Sequence, residues 1–133
     1  MNFVSVRIIT DDIKRLVSFY ERITRLTPTW FTEDFAEVAT PGGTLAIGSV
    51  RTMALFGKDA AQPRSNQSVI IEFLVEDVDA KYEQLQPLIA DLIQAPTTMP
   101  WGNRSLLFRD PDGNLVNFFT PVTPQARKKF QLD

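Results

Sequence analysis

Histidine and cysteine are both absent from the 133 residues of this chain. Without cysteine there are no disulfides, no thiolate metal sites and no thiol nucleophile. Without histidine there is no ordinary general base near neutral pH, no Ser-His-Asp constellation and no imidazole ligand for zinc or iron. Catalysis is left to carboxylates, lysine, tyrosine or a carboxylate-bound ion. Net charge is small as well. Fourteen basic against 16 acidic residues leave −2, and no run of Lys and Arg offers a nucleic-acid footprint, so no nucleic-acid partner is expected. No apolar run reaches the roughly 18 residues of a membrane span, so no membrane partner is expected either. Residues 1–7 show no basic stretch leading into a long apolar one, which reads as no signal peptide and a cytoplasmic location.

What is present is an ordinary globular composition, 44% hydrophobic and 23% charged. A single domain of this length buries about two thirds of its unfolded surface and needs no covalent staple. The chain also reads as an internal repeat. A β-branched run at 4–9 leads into Thr10-Asp11-Asp12, and Ile13, Leu16, Val17, Tyr20 and Ile23 then recur at helical spacing. A second β-rich run at 69–75 leads into Glu76-Asp77, and Val78, Tyr82 and Leu85 repeat the stripe. Asp12 and Asp77 are placed to cap the two helices, at an offset of 77 − 12 = 65 residues. Pro87 ends the second helix near Gln86, because proline removes a helix hydrogen bond and crowds the preceding turn.

Strand-like segments follow each helix, at 29–32, 35–40 and 44–50 in the first half and at 92–97, 104–109 and 114–120 in the second. Pro41-Gly42-Gly43 and Asp110-Pro111-Asp112-Gly113-Asn114 supply the hairpin turns, Gly113 being free to take positive φ. The reading is an α+β fold of two βαβββ modules, 1–57 and 67–122, with a polar linker at 58–66 and a tail at 123–133. A short helix is expected at 124–130.

Alternation along the strands separates two faces. Val4, Val6 and Ile8 form a helix-facing set, with Phe3, Ser5, Arg7 and Ile9 opposite; Val69, Ile71, Phe73 and Val75 do the same in the second module, with Ser68, Ile70, Glu72 and Leu74 opposite. Arg7 and Glu72 occupy equivalent positions on that second face, either as a mutual ion pair or as polar anchors in a cavity.

Taken in order, Val6-Arg7-Ile8-Ile9-Thr10-Asp11-Asp12-Ile13 with Phe19-Tyr20, Phe73-Leu74-Val75-Glu76-Asp77-Val78-Asp79, Pro100-Trp101-Gly102-Asn103-Arg104 and Phe108-Arg109-Asp110-Pro111-Asp112-Gly113-Asn114 resemble the glyoxalase/bleomycin resistance/dioxygenase superfamily, the vicinal oxygen chelate group, over essentially the whole chain. The resemblance implies paired βαβββ modules whose mixed sheets curl around a cavity, completed in a homodimer. It also implies four inward slots that hold an ion in metal-dependent members. Two lie seven residues before the capping aspartates, at Ser5 and Ile70; one lies four residues after the hairpin glycine, at Asn117; repeat logic puts the fourth at Ile47. A hydroxyl, two aliphatics and an amide do not replace His and carboxylate ligands, so no metal and no cofactor are expected.

Within the superfamily the chain is most similar to the metal-free bleomycin-resistance type, whose Pro-Trp-Gly tryptophan faces a bound drug. That likeness implies non-enzymatic sequestration of a small aromatic or glycopeptide-like molecule such as a bleomycin-like antibiotic, with no catalytic residues. Trp101 matches the drug-facing ring, and Trp30-Phe31 stand where further stacking aromatics are carried. Asn117 and Phe119 share a strand face, Arg7, Glu72 and Ser5 are polar candidates for the same cavity, and Phe35 and Phe56 are weaker ring candidates. Two alternatives compete: a glyoxalase- or dioxygenase-like lyase or isomerase using Glu72, Arg7 or Tyr20, and a structural dimer whose interior is filled by its own side chains.

Overall fold

The computed structural model describes residues 1–57 and 59–133; Lys58, at the head of the expected linker, lies outside them. The chain divides into two compact units, Met1–Asn66 and Gln67–Asp133.

In the first unit, strand β1 (Ser5–Thr10) leads into helix α1 (Ile13–Thr24) and then β2 (Thr29–Thr32), β3 (Phe35–Thr40) and β4 (Gly43–Ser49). The sheet order is β1-β4-β3-β2, with β1 parallel to β4 and the remaining pairs antiparallel. Asp12 caps α1 by accepting from the Arg15 amide at 3.2 Å, and Arg25 ends it in the left-handed region. Ile13, Leu16, Val17, Tyr20 and Ile23 are all buried, so the helical stripe is the buried face of α1, packed on β3 and β4. The chain then departs from the reading above. Residue 50 does not extend β4; Val50–Leu55 form a 3-10 helix, started by Ser49, whose hydroxyl accepts from the Arg51 amide. Asp34 locks this corner by accepting from the Ser49 hydroxyl and from Arg51 Nε, both at 2.8 Å.

The second unit repeats the plan with β5 (Ile70–Leu74), α2 (Val78–Leu85), β6 (Asp91–Thr98), β7 (Asn103–Arg109) and β8 (Leu115–Pro121), in sheet order β5-β8-β7-β6. Asp77 caps α2 through the Ala80 amide at 3.1 Å. Pro87 falls in a 3-10 turn at Gln86–Leu88, so α2 has 8 residues where α1 has 12. The core of this unit is aromatic: Phe73 and Phe108 each meet Phe118 edge-to-face with centroids 5.4 Å apart. In the β7–β8 turn Gly113 has φ of 84°, and the buried Asp110 carboxylate accepts from the amides of Asp112 and Asn114 and from Asn114 Nδ2. A last helix, α3 (Pro124–Lys129), is capped by Thr123.

Candidate functional site

Each sheet has one face covered by its own helix and one face that its helix leaves open. The pairing register decides which side chains stand on the open face. In the first sheet Arg7 pairs with Ala46, which pairs with Glu37, while Ile9 and Phe35 both pair with Gly48. Ser5, Arg7, Ile9, Phe35, Glu37, Ala46 and Gly48 therefore share the open face. Ile8, Ala36 and Ile47 fall on the opposite, helix-covered face, where Ile47 is fully buried.

That register corrects one slot. Arg7 pairs with Ala46 and Glu72 with Asn117, so the counterpart of Asn117 is Ala46 and not Ile47. The repeat count failed because the two hairpin turns differ by one residue in register, and one residue in a strand exchanges its faces. The structural slot set is Ser5, Ala46, Ile70 and Asn117. A hydroxyl, a methyl, a branched alkyl and an amide do not fit a divalent ion that requires imidazole or carboxylate donors. Among the described residues no three of Asp and Glu come together to hold a metal.

The two units then differ in what they put on their open faces. In the first, the Arg7 guanidinium lies 4.8 Å from the Phe35 ring centroid and 6.0 Å from that of Phe56, at the end of the 3-10 helix. Gly48 leaves room for the arginine stem, since a Cβ there would come 3.8 Å from Arg7 Cδ. Phe31, at a bulge in β2, sits 5.8 Å ring-to-ring from Phe35, whereas Trp30 pairs with Ala36 on the helix-covered side. The neighbours are thus split, and Phe31 is the one that joins Arg7.

In the second unit Asn117 is 8% exposed and donates from Nδ2 to Glu72 Oε2 at 2.7 Å, while its Oδ1 is buried without a partner. Glu72 is exposed, as are Ile70 and Leu74 on the same face. Phe119 is buried against Phe130, with centroids 5.3 Å apart. Nothing in the strand pattern points to Phe130, because it comes from the turn that ends α3. Arg7 and Glu72 each find a partner inside their own unit, so a mutual ion pair is not needed to account for either. Tyr20 is fully buried, with Phe19 edge-on at 5.5 Å, which removes it as a catalytic group.

Trp101 stands at the tip of the β6–β7 hairpin, 68% exposed. The Gly102 amide donates to the Met99 carbonyl and the Met99 amide to the Asn103 carbonyl, which closes the turn. Gly102, at φ of 96°, packs so tightly on the start of α3 that a Cβ would come 2.1 Å from Thr123 Oγ1. The Asp79 carboxylate, at the start of α2, accepts from Arg104 Nε and Nη2 at 2.8 and 3.0 Å. These hydrogen bonds hold the Asp79 carboxyl below its ordinary range, as Arg51 and then Ser49 do for Asp34.

The family model for the glyoxalase/bleomycin resistance protein/dioxygenase superfamily matches residues 2–118. The chain belongs to this superfamily. The chain is 28% identical over 125 residues to an uncharacterised protein of Bacillus subtilis, covering 90% of this chain and 98% of that one. A superfamily structure from Nocardioides matches with a TM-score of 0.75 at 21% identity, covering 93% of this chain and 85% of that one. A superfamily structure described as an enzyme, from Burkholderia phytofirmans, matches at 0.78 and 18% identity, covering 89% and 97%. A protein of unknown function from Agrobacterium tumefaciens matches at 0.78 and 25% identity, covering 90% and 94%. The superfamily fold is thus established for this chain as two βαβββ units, each a four-stranded mixed sheet with its helix and neither sheet closed on itself.

Proposed function

We propose that this superfamily member binds a small planar aromatic molecule without a metal ion and without chemical turnover, the mode that its likeness to the bleomycin-resistance type implies, and that it does so as a homodimer. The observation that carries this reading is the chemistry of the open sheet faces, where a hydroxyl, a methyl, a branched alkyl and an amide occupy the ion-ligand slots and, in the first unit, rings and an arginine stand beside them. The second unit offers the exposed ring of Trp101, and the first offers Phe31, Phe35 and Phe56 around Arg7. Offset stacking adds about 0.5–1.5 kcal/mol per ring beyond area burial. A planar heteroaromatic compound should therefore quench tryptophan fluorescence saturably, and Trp101→Ala should weaken binding about 2- to 10-fold. The reading is abandoned if no planar aromatic compound binds below about millimolar.

A second reading is a lyase or isomerase, favoured by one observation: Glu72 is an exposed carboxylate oriented by a buried amide, as a general base would be. Metal analysis of the purified protein separates the two. Binding alone predicts substoichiometric metal, whereas one Zn, Mn, Ni or Fe per chain would support the enzyme and overturn the slot assignment.

A further inference from the structure

We infer that the open face of the first sheet is a site for an aromatic monocarboxylate, with the Arg7 guanidinium as its counter-ion. This inference rests on the binding function proposed above and names its ligand class. Arg51, Arg64, Arg104 and Arg109 are all matched to aspartates, namely Asp34, Asp11, Asp79 and Asp91. Arg7, in the middle of β1, differs from them: among the described residues its contacts are ring faces, and it makes no ion pair and donates no hydrogen bond. A guanidinium held over a ring keeps its N–H groups directed outward in its own plane, as a fork matched to the two oxygens of a carboxylate. The stem is seated against Gly48 and the head against Phe35, so little side-chain freedom remains to be lost on binding.

The surroundings supply the rest of the ligand's outline. Phe31 and Phe56 are 59% and 66% exposed, so each offers ring surface to a planar body whose acid group faces Arg7. Ser5 adds a hydroxyl on the same strand face. Glu37 stands on that face two strands from Arg7, in register through Ala46. Its charge disfavours a phosphate dianion more than a carboxylate monoanion, which selects between the two anions.

Titration calorimetry of the full chain with 2-naphthoate and with its neutral isostere 2-naphthamide tests this. The wild type should prefer the acid at least about tenfold, and added salt should weaken the acid without weakening the amide. Arg7→Met should lose the preference and bind both ligands equally, with an unchanged urea midpoint and circular dichroism spectrum showing that the variant is folded. Arg7→Lys, a point charge without the fork, should keep only part of the preference. An amide that binds the wild type as well as the acid overturns the counter-ion while leaving ring-mediated binding standing, as does a preference that survives in Arg7→Met. Failure of both compounds to bind overturns the site and counts against the proposed function with it.

Discussion

Gly102 shows how much a single position can decide. Its φ of 96° is open only to glycine at low cost, and the space beside it is taken by Thr123 and by Ala126, whose Cβ would lie 3.0 Å from an added one. Gly102→Ala should lower stability by about 1–3 kcal/mol, read as a fall in the urea midpoint without a change of slope. Because the same turn presents Trp101, the variant should also weaken fluorescence-detected ligand binding. Unchanged stability would show that the loop relaxes away from α3 freely. At this scale the sequence was a good guide to Trp101, whose flanking Pro100 and Gly102 mark a loop, and the structure finds it exposed. It did not decide which of Trp30 and Phe31 joins Arg7. A bulge in β2 sets which of two neighbours turns to which face, and bulges have no dependable composition signal.

At the scale of elements, the helices were legible because capping and periodicity are local. Asp12, Asp77 and Pro87 determine starts and stops through their own backbone neighbours, and the observed bounds follow them closely. What the sequence did not show is how α2 is tied to its sheet. Arg104 on β7 reaches Asp79 with two nitrogens and also donates to Thr98 at 3.3 Å. The Asp79 carboxyl is lowered from 3.8 in the folded state, chiefly by that hydrogen bond. Stability from a group whose folded value is lowered is full above its unfolded value and is lost as pH falls through the folded one. Arg104→Gln should therefore be less stable than wild type at neutral pH, by a small amount because Asp79 is exposed and Arg104 only half-buried. The gap in urea midpoints should narrow and close as the pH falls below the ordinary aspartate range. A gap that widens in acid would refute the assignment. The 3-10 helix after β4 was likewise invisible in composition, since it depends on Asp34, far from it in sequence, accepting from Ser49 and Arg51.

At the scale of the whole molecule, two similar units each leave one sheet face uncovered by their own helix and end their sheets in exposed apolar edges. β1 and β5 are edge strands, and Val4, Val6, Ile70 and Leu74 at or next to them are exposed. Such edges are a liability unless something pairs with or covers them. A homodimer of the kind proposed above would supply such cover. Light scattering after gel filtration should give twice the 15.1 kDa chain mass across the micromolar range. A monomer at those concentrations would end the proposal of a homodimer.

The order of elements, the two-fold repetition, the helix caps and the absence of imidazole and thiolate chemistry were all determined by the sequence alone, because each depends on residue type or on neighbours within a turn or two. The open-face set was decided only by the tertiary structure. Cross-strand register places Ala46 rather than Ile47 beside Arg7, and the end of the 3-10 helix brings Phe56 to the same guanidinium. Both depend on pairing between segments far apart in the chain, and a slip of one residue there turns every side chain of a strand to its other side.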